Sequence, residues 1–310
     1  MTKAKWQGHA AMLVCSIIFA LNIPIAKGLL QEWMHPMGIA FFRITFATVA
    51  LWITSFFFPS EPVHKRSDFG LFLLGGFLGM SFNQITFIEG LNYTSPVYAA
   101  ILGTFTPLLT MVLAALILKE PITWRKTIGV VIGASGAIFI IIYGSNELGT
   151  DSLLGDILCI VSSFSYALYV VLMRPIIMRY SPITLMKWMF LGACVYTVPY
   201  GFSGVLESKA ILQEAPLNIY LGLLYTVFMA TFVTYLLIPY ALKRIRPTTV
   251  TSYNYLQPLV ASFTAIMAGQ DTFRWDMPIS AIIIFTGVYL VTSSKSKEDL
   301  DRELQSKSKK

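Results

Sequence analysis

The sequence predicts an all-α membrane protein of ten transmembrane helices, arranged as two inverted five-helix repeats. Three observations carry this. The 310 residues are 55% hydrophobic and only 13% charged, where a soluble domain carries about a quarter charged residues. Apolar runs of about the 20 residues that cross a bilayer core recur along the chain between short polar links. The second half of the chain also repeats features of the first at a fixed spacing.

The runs lie near 7–27, 36–58, 69–89, 94–118, 124–143, 153–173, 182–202, 217–239, 247–269 and 277–294. Inside hydrocarbon a chain must satisfy its own backbone hydrogen bonds, which leaves helices or a closed barrel, and unbroken apolarity without alternation excludes the barrel. Lys3 and Lys5 ahead of the first run resemble a signal peptide. That run continues without a small-x-small cleavage site, so it is expected to stay as the first span.

Orientation follows from the basic residues. With the N-terminus inside, 18 of the 23 Lys and Arg fall on one side: Lys3, Lys5, Lys65, Arg66, Lys119, Arg125, Lys126, Arg174, Arg179, Lys243, Arg244, Arg246 and six in the tail Lys295–Lys310. The other side receives Lys27, Lys209 and Arg274, while Arg43 and Lys187 lie within spans. The positive-inside rule then makes both termini cytoplasmic. The net charge of +7 marks topology rather than a nucleic-acid surface, because it is dispersed among short loops. Short loops point to a bacterial cytoplasmic (inner) membrane.

Leu91, Pro107, Leu108, Trp124 and Gly136 align with Leu242, Pro258, Leu259, Trp275 and Gly287 at a constant offset of 151, with Glu120 opposite Asp271. Gly8, Ser16 and Ala20 align with Gly155, Ser163 and Ala167 at 147. The units are residues 1–146 and 147–294, followed by a polar cytoplasmic tail, 295–310. Five spans per unit is odd, so the second copy is inverted, an arrangement in which two halves rock around a midplane site.

The stretch Gly90–Gly136, GLNYTSPVYAAILGTFTPLLTMVLAALILKEPITWRKTIGVVIGASG, resembles the signature region of the drug/metabolite transporter superfamily, EamA type. The shared features are a short loop ending in YTS, a small-residue helix with Pro before its apolar second half, an acidic residue after it, and Gly in the next helix. Arg246–Gly287 is similar as a second copy. The resemblance implies a ten-helix fold, a central cavity and carriage of small organic solutes such as amino acids or purines, often outward. Asp271 in place of the usual Glu, and Tyr240 where the first copy has Glu89, depart from the pattern.

Polar groups within spans are the site candidates, because hydrocarbon penalises them. Arg43 and Lys187 sit in helices opening with Pro36 and Pro182. They hold a substrate anion on alternate faces, or else snorkel to the interface. Glu89 exchanges a proton or pairs with Lys27 or Arg43. Asn22 repairs the backbone break at Pro24 or faces a cavity. Asn83, Gln84, Tyr98 and Thr104, with Thr234, Tyr235, Thr249 and Tyr255 as counterparts, and Tyr166, Tyr169, Tyr253, Asn254 and Gln257, supply the hydrogen-bonding and aromatic walls that suit an amphipathic molecule, although interfacial belts also collect tyrosine. Pro107 and Pro258 are hinges or fixed kinks. Gly75 with Gly79, and Gly129 with Gly133, allow close helix packing or, alternatively, a homodimer.

No metal site or cofactor is expected: Cys15, Cys159 and Cys194 have neither CxxC spacing nor nearby His. No nucleotide-binding GxxxxGK[ST] occurs. The expected partners are a small-molecule substrate and the lipid bilayer. The leading reading is a secondary transporter, exporter or exchanger. A passive channel is the alternative, and a lipid-modifying enzyme fits poorly because His9, His35 and His64 are scattered and no paired acidic motif appears.

Overall fold

A computed structural model describes residues 3–58, 60–94, 96–144, 153–267 and 275–294. The tail Lys295–Lys310, Asp271 and Arg274 lie outside the described residues. Among those described, every regular element is helical. The helix α1 (Lys3–Glu32) is followed by α2 (Pro36–Phe57), then by a continuous rod of α3 (Asp68–Gly75), a π-helical segment Gly76–Phe82 and α4 (Asn83–Tyr93). Next come α5 (Pro96–Gly103), α6 (Thr106–Ile117), α7 (Trp124–Gly144), α8 (Leu153–Leu172), α9 (Arg174–Ile177), α10 (Pro182–Leu206) and α11 (Lys209–Leu212). A second rod holds α12 (Leu217–Val227), a π-helical segment Phe228–Val233 and α13 (Thr234–Leu242), before α14 (Pro247–Ser252), α15 (Leu256–Met267) and α16 (Asp276–Ser293).

Six helical stretches are long and apolar enough to cross a membrane: Lys3–Leu30, Pro36–Phe57, Asp68–Tyr93, Leu153–Leu172, Pro182–Leu206 and Leu217–Leu242. Thr106–Ile117 and Pro278–Ser293 are shorter apolar helices. Large apolar side chains stand on the outside of the bundle, among them Val49, Ile53, Val195, Leu221 and Phe285. That surface suits lipid rather than water.

Local chemistry sets the helix starts. Pro36 and Pro182 occupy first-turn positions, where the missing N–H costs nothing. The His35 side chain accepts from the Met37 N–H and Ser181 from that of Thr184, capping α2 and α10. The expected fourth and ninth helices are each broken. Pro107 stands at the start of α6, after a turn at Thr104 and Phe105 in which the Phe105 N–H bonds the Leu102 carbonyl. Pro258 follows the tight 3-10 turn Tyr253–Tyr255. In both, a ring without an N–H blocks the carbonyl four residues earlier, so the chain tightens and restarts.

The helices meet closely where side chains are small. A Cβ on Gly38 of α2 would lie 2.8 Å from the Gly204 carbonyl of α10. One on Gly287 of α16 would press on the Gly133 backbone of α7. With lipid all around, such contact works through dispersion and not through expulsion of water. Gly129 and Gly133 are therefore occupied within the chain, against α16 and Tyr255.

One end of the bundle collects the basic loops. Arg174 donates to the Leu242 and Ile245 carbonyls, and Arg246 to Val291 and Ser294 at the end of α16. Buried Asp68 accepts from the Tyr180 hydroxyl at 2.7 Å and from Arg179 at 3.4 Å. The Tyr180 phenol, in the link before α10, is pushed up by burial and by that bond to Asp68.

Candidate functional site

The packed interior falls into two large apolar clusters and a small one of Met111, Val130 and Val291, and the junction of the two large ones crosses several helices at one level. Along α1, Ala11, Met12 and Cys15 belong to the cluster at the basic end, while Ile23, Ala26 and Leu29 belong to the other. On α2 the change comes between Ala40 and Ile44, on the rod of α3 to α4 between Met80 and Ile88, and on α8 between Cys159 and Tyr169. Asn22, Arg43, Gln84, Ser162 and Tyr166 occupy those intervals. A cavity of about 120 Å³ lies there.

Each wall comes from a different helix. Helix α1 supplies Phe19, Asn22 and Ile23, α2 supplies Arg43, and α4 supplies Asn83, Gln84 and Phe87. The break between α5 and α6 presents Gly103 and Thr106, and α8 presents Ser162, Ser163 and Tyr166. Tyr235 of α13 and Asn254 and Gln257 around the start of α15 close the set. No Asp or Glu lies among these lining residues.

Among the described residues Arg43 is the one ionic group in that wall. It is 4% exposed, and Nε donates to the Thr231 hydroxyl at 2.8 Å and Nη2 to the Ala230 carbonyl at 3.2 Å. Both acceptors are neutral. Among the described residues no carboxylate comes within ion-pair distance of it. A guanidinium does not release its proton and offers five donors, so this charge stays and remains largely unspent.

The π-helical segments shape the site. A π turn widens the helix and misaligns its carbonyls, which then take other donors. The Gly79 carbonyl accepts from the Tyr235 hydroxyl at 2.9 Å and that of Leu78 from Ser165 at 2.7 Å. In the second segment the Ala230 carbonyl takes Arg43 and also the Thr234 hydroxyl. Gln84 Nε2 donates to the Tyr235 oxygen at 3.1 Å, and the Phe190 ring meets that of Tyr235 edge-on at 5.2 Å. Two acceptors at cavity residues remain buried without a partner, Asn22 Oδ1 and Gln84 Oε1. Buried acceptors of that kind are rare unless a donor visits them.

Eight of the residues singled out from the sequence therefore share one cavity: Asn22, Arg43, Asn83, Gln84, Tyr166, Tyr235, Asn254 and Gln257. Asn22 faces it rather than repairing the backbone at Pro24. Asn83 is partly committed to packing, since its Nδ2 holds the Ser162 carbonyl and hydroxyl at 2.9 Å and Ser162 donates back to the Asn83 carbonyl. Gln257 leans on Asn254 at 3.4 Å.

Other candidates lie elsewhere. Tyr169 is fully buried behind the wall, its ring filling the space beside Gly79 and its hydroxyl without a partner. Tyr253 lies on the basic-end side, where its hydroxyl is hydrogen-bonded to His9 Nδ1 at 2.8 Å and its carbonyl accepts from Ser16 at 3.0 Å. His9 and Ser16 precede Asn22 by about 20 and 9 Å along α1, so these contacts tie α1 to the Tyr253 turn on the basic-end side of the cavity. Lys187 donates to Ser60 at 3.2 Å and stands 5.2 Å over the Trp52 ring, outside the cavity and not opposite Arg43. An ammonium with a four-carbon stem reaches the loop and the interface, which is the snorkelling geometry.

Glu89 is half-buried on α4 outside the lining. Arg43 bonds Thr231 and Ala230 rather than Glu89, and Lys27 donates to the carbonyls of Leu91, Asn92 and Thr94 at the end of α4. Pro107 and Pro258 begin helical segments beside the cavity rather than bending continuous helices. The Tyr98 side chain lies outside the described residues.

Sequence reasoning passed over Ser162, Ser163, Phe19, Phe87, Thr106 and Thr231. The serines had a readable signal, standing one helical turn before Tyr166 on its face. Thr231 had none, because its position depends on the π turn.

The EamA-like transporter family model matches residues 6–142 and 153–293. A WAT1-related protein of Arabidopsis thaliana is 25% identical, covering 94% of this chain and 86% of its own. An uncharacterized transporter of Archaeoglobus fulgidus is 25% identical over 93% of this chain and 98% of its own, and the uncharacterized transporter YcxC of Bacillus subtilis 26% over 90% and 91%. A solved crystal structure shares the fold with a TM-score of 0.71 at 14% identity, over 93% of this chain and 96% of the other. An apolar helical bundle around a cavity with polar side chains in its wall, matched by one family along nearly its whole length, makes this chain an integral membrane protein of the EamA-like transporter family.

Proposed function

We propose that this protein is a secondary transporter that moves a small organic metabolite bearing a carboxylate, such as an amino acid, across a bacterial cytoplasmic membrane by alternating access. The observation that carries the reading is Arg43: a buried cation, bound among the described residues only to neutral groups, in a cavity whose described lining has no acidic residue. An anionic cargo supplies the missing counter-charge through charge-assisted hydrogen bonds. The unpartnered oxygens of Asn22 and Gln84 suit a donor on the same molecule, such as an ammonium.

The proposal includes ten spans in two inverted units, 1–146 and 147–294, with both termini cytoplasmic. Support comes from the family match falling once in each unit and from π-helical segments at Gly76–Phe82 and Phe228–Val233, which coincide at the 151-residue offset to within one residue. The hydrogen bonds from His9 and Ser16 to Tyr253 on the basic-end side of the cavity support a carrier over an open channel.

The test is a melting-temperature screen of the protein in detergent against amino acids, other carboxylates, purines and sugars, since a ligand of the folded state raises the apparent stability. Stabilisation by carboxylates that Arg43→Gln abolishes is the expected result. Stabilisation by uncharged solutes alone, unchanged in Arg43→Gln, would refute the assignment of the cavity.

A further inference from the structure

We infer that the carrier changes faces only when loaded, so that transport is an obligatory exchange of one anionic solute for another. This rests on the transporter reading above and adds its mode of turnover.

The argument starts from the charge in the wall. Arg43 spends Nε and Nη2 on a hydroxyl and a carbonyl, and Nη1 makes no hydrogen bond with any described residue. The nearest acids on the lining helices are held away. Glu89 lies five residues beyond Gln84 on α4, about 7.5 Å along the axis. Asp156 lies six residues before Ser162 on α8, about 9 Å along the axis, and accepts from Thr94 at 2.8 Å.

To present the cavity to the other side, the bundle must pass through a state shut at both ends. In that state the water that solvated the open cavity is reduced and the effective dielectric falls, which raises the cost of an unbalanced charge. A buried lysine or carboxylate escapes by changing its protonation, and a guanidinium does not. Among the described residues no titratable carboxylate or imidazole lines the cavity to change charge instead. The counter-ion must therefore arrive with the cargo. A loaded carrier crosses as a neutralised pair, while an empty one holds a stranded cation at the barrier, so the return trip also needs an anion.

The experiment needs no knowledge of the natural cargo. In a background with Cys15, Cys159 and Cys194 replaced by alanine, Ser163→Cys places one thiol in the cavity wall. Washed right-side-out and inside-out membrane vesicles, in buffer free of small carboxylates and phosphate, are treated with a membrane-impermeant maleimide. With Arg43 present, the thiol is expected to react from one face only. Arg43→Gln, and independently Asn22→Asp, which sets a carboxylate in the same cavity, are each expected to raise labelling from the second face at least tenfold. Size-exclusion profile and melting temperature show that each variant is folded. Equal labelling from both faces with Arg43 present would overturn exchange and leave the transporter reading standing. One-sided labelling unchanged in both folded variants would overturn the role given to Arg43. A thiol unreactive from both faces in every variant would contradict the transporter reading itself.

Discussion

Gln84 donates a hydrogen bond to the Tyr235 hydroxyl over 3.1 Å, and the 151 residues between them are the same offset that aligns the two halves of the sequence. Corresponding positions thus touch each other. The two-fold relation between the units proposed above would bring corresponding positions together near its axis, and this contact falls in the cavity wall. Tyr235 also donates to the Gly79 carbonyl, so one hydroxyl ties α4, α13 and the first π segment together. Tyr235→Phe leaves an amide and a carbonyl unpaired, with an expected loss of about 1 kcal/mol of stability. Adding Gln84→Leu is expected to cost less than the sum of the single changes, measured by denaturation in detergent as a double-mutant cycle.

Arg43→Gln is expected to act in opposite directions on binding and stability. Removing a buried cation without a counter-ion leaves melting temperature unchanged or raised. Losing the charge-assisted contact weakens binding of an anionic cargo by about 1.5–3 kcal/mol, roughly 10- to 150-fold. Calorimetry with the cargo from the stability screen, alongside melting of the empty variant, reads both. A fall in both together would mean that Arg43 holds the fold rather than the cargo.

Lys187→Gln is expected to leave cargo affinity within about twofold. Its ammonium holds Ser60 and covers Trp52 near the basic end, and such half-exposed contacts contribute about 0.5–1 kcal/mol to stability. The same binding assay checks this, and a tenfold loss would place the lysine on the transport path.

At Gly287 the α7 backbone leaves no space for a methyl group. Gly287→Ala is expected to push α7 and α16 apart at a cost of about 1–3 kcal/mol, read as a lowered melting temperature. Gly28→Ala, where a Cβ meets nothing within 4 Å, serves as the neutral comparison.

The Tyr180 phenol gives a pH dependence. Its folded value lies above the ordinary 10.0, so the stability carried by its bond to Asp68 is fully present below about pH 10 and is lost as pH rises through the folded value. Tyr180→Phe is expected to flatten the fall of melting temperature between about pH 9 and 11. An unchanged slope would assign that fall to other groups.

Much of the cavity was legible because a polar side chain in an apolar run is expensive and must be used. Asn22, Arg43 and Gln84 stand out in that way, and the junction of the two apolar clusters gathers them. Lys187 satisfied the same criterion and went elsewhere, because its stem reaches Ser60 and Trp52 across a loop that no periodicity describes. Thr231 was not legible, and Ser162, although one helical turn from Tyr166 on the same face, was passed over. Hydroxyls are common in such helices and bond their own backbone, as Thr48, Thr86 and Thr110 do here. Only the folded π turn distinguishes Thr231. The broken helices were half legible: Pro107 and Pro258 marked the places, but not that the chain would restart instead of bending.

The bond from Arg43 to Thr231 spans 188 residues, and that span is also an interval of time. A ribosome adding about 5–20 residues per second delivers Thr231 roughly 10–40 s after Arg43. For that interval α2 holds a guanidinium in the bilayer with neither Thr231 nor Ala230 to receive it, and insertion of such a residue near a helix centre costs about 2.5–3.5 kcal/mol. Biogenesis therefore passes through a half-made protein whose α2 sits uneasily in the membrane. The arrival of the second π segment is what seats it.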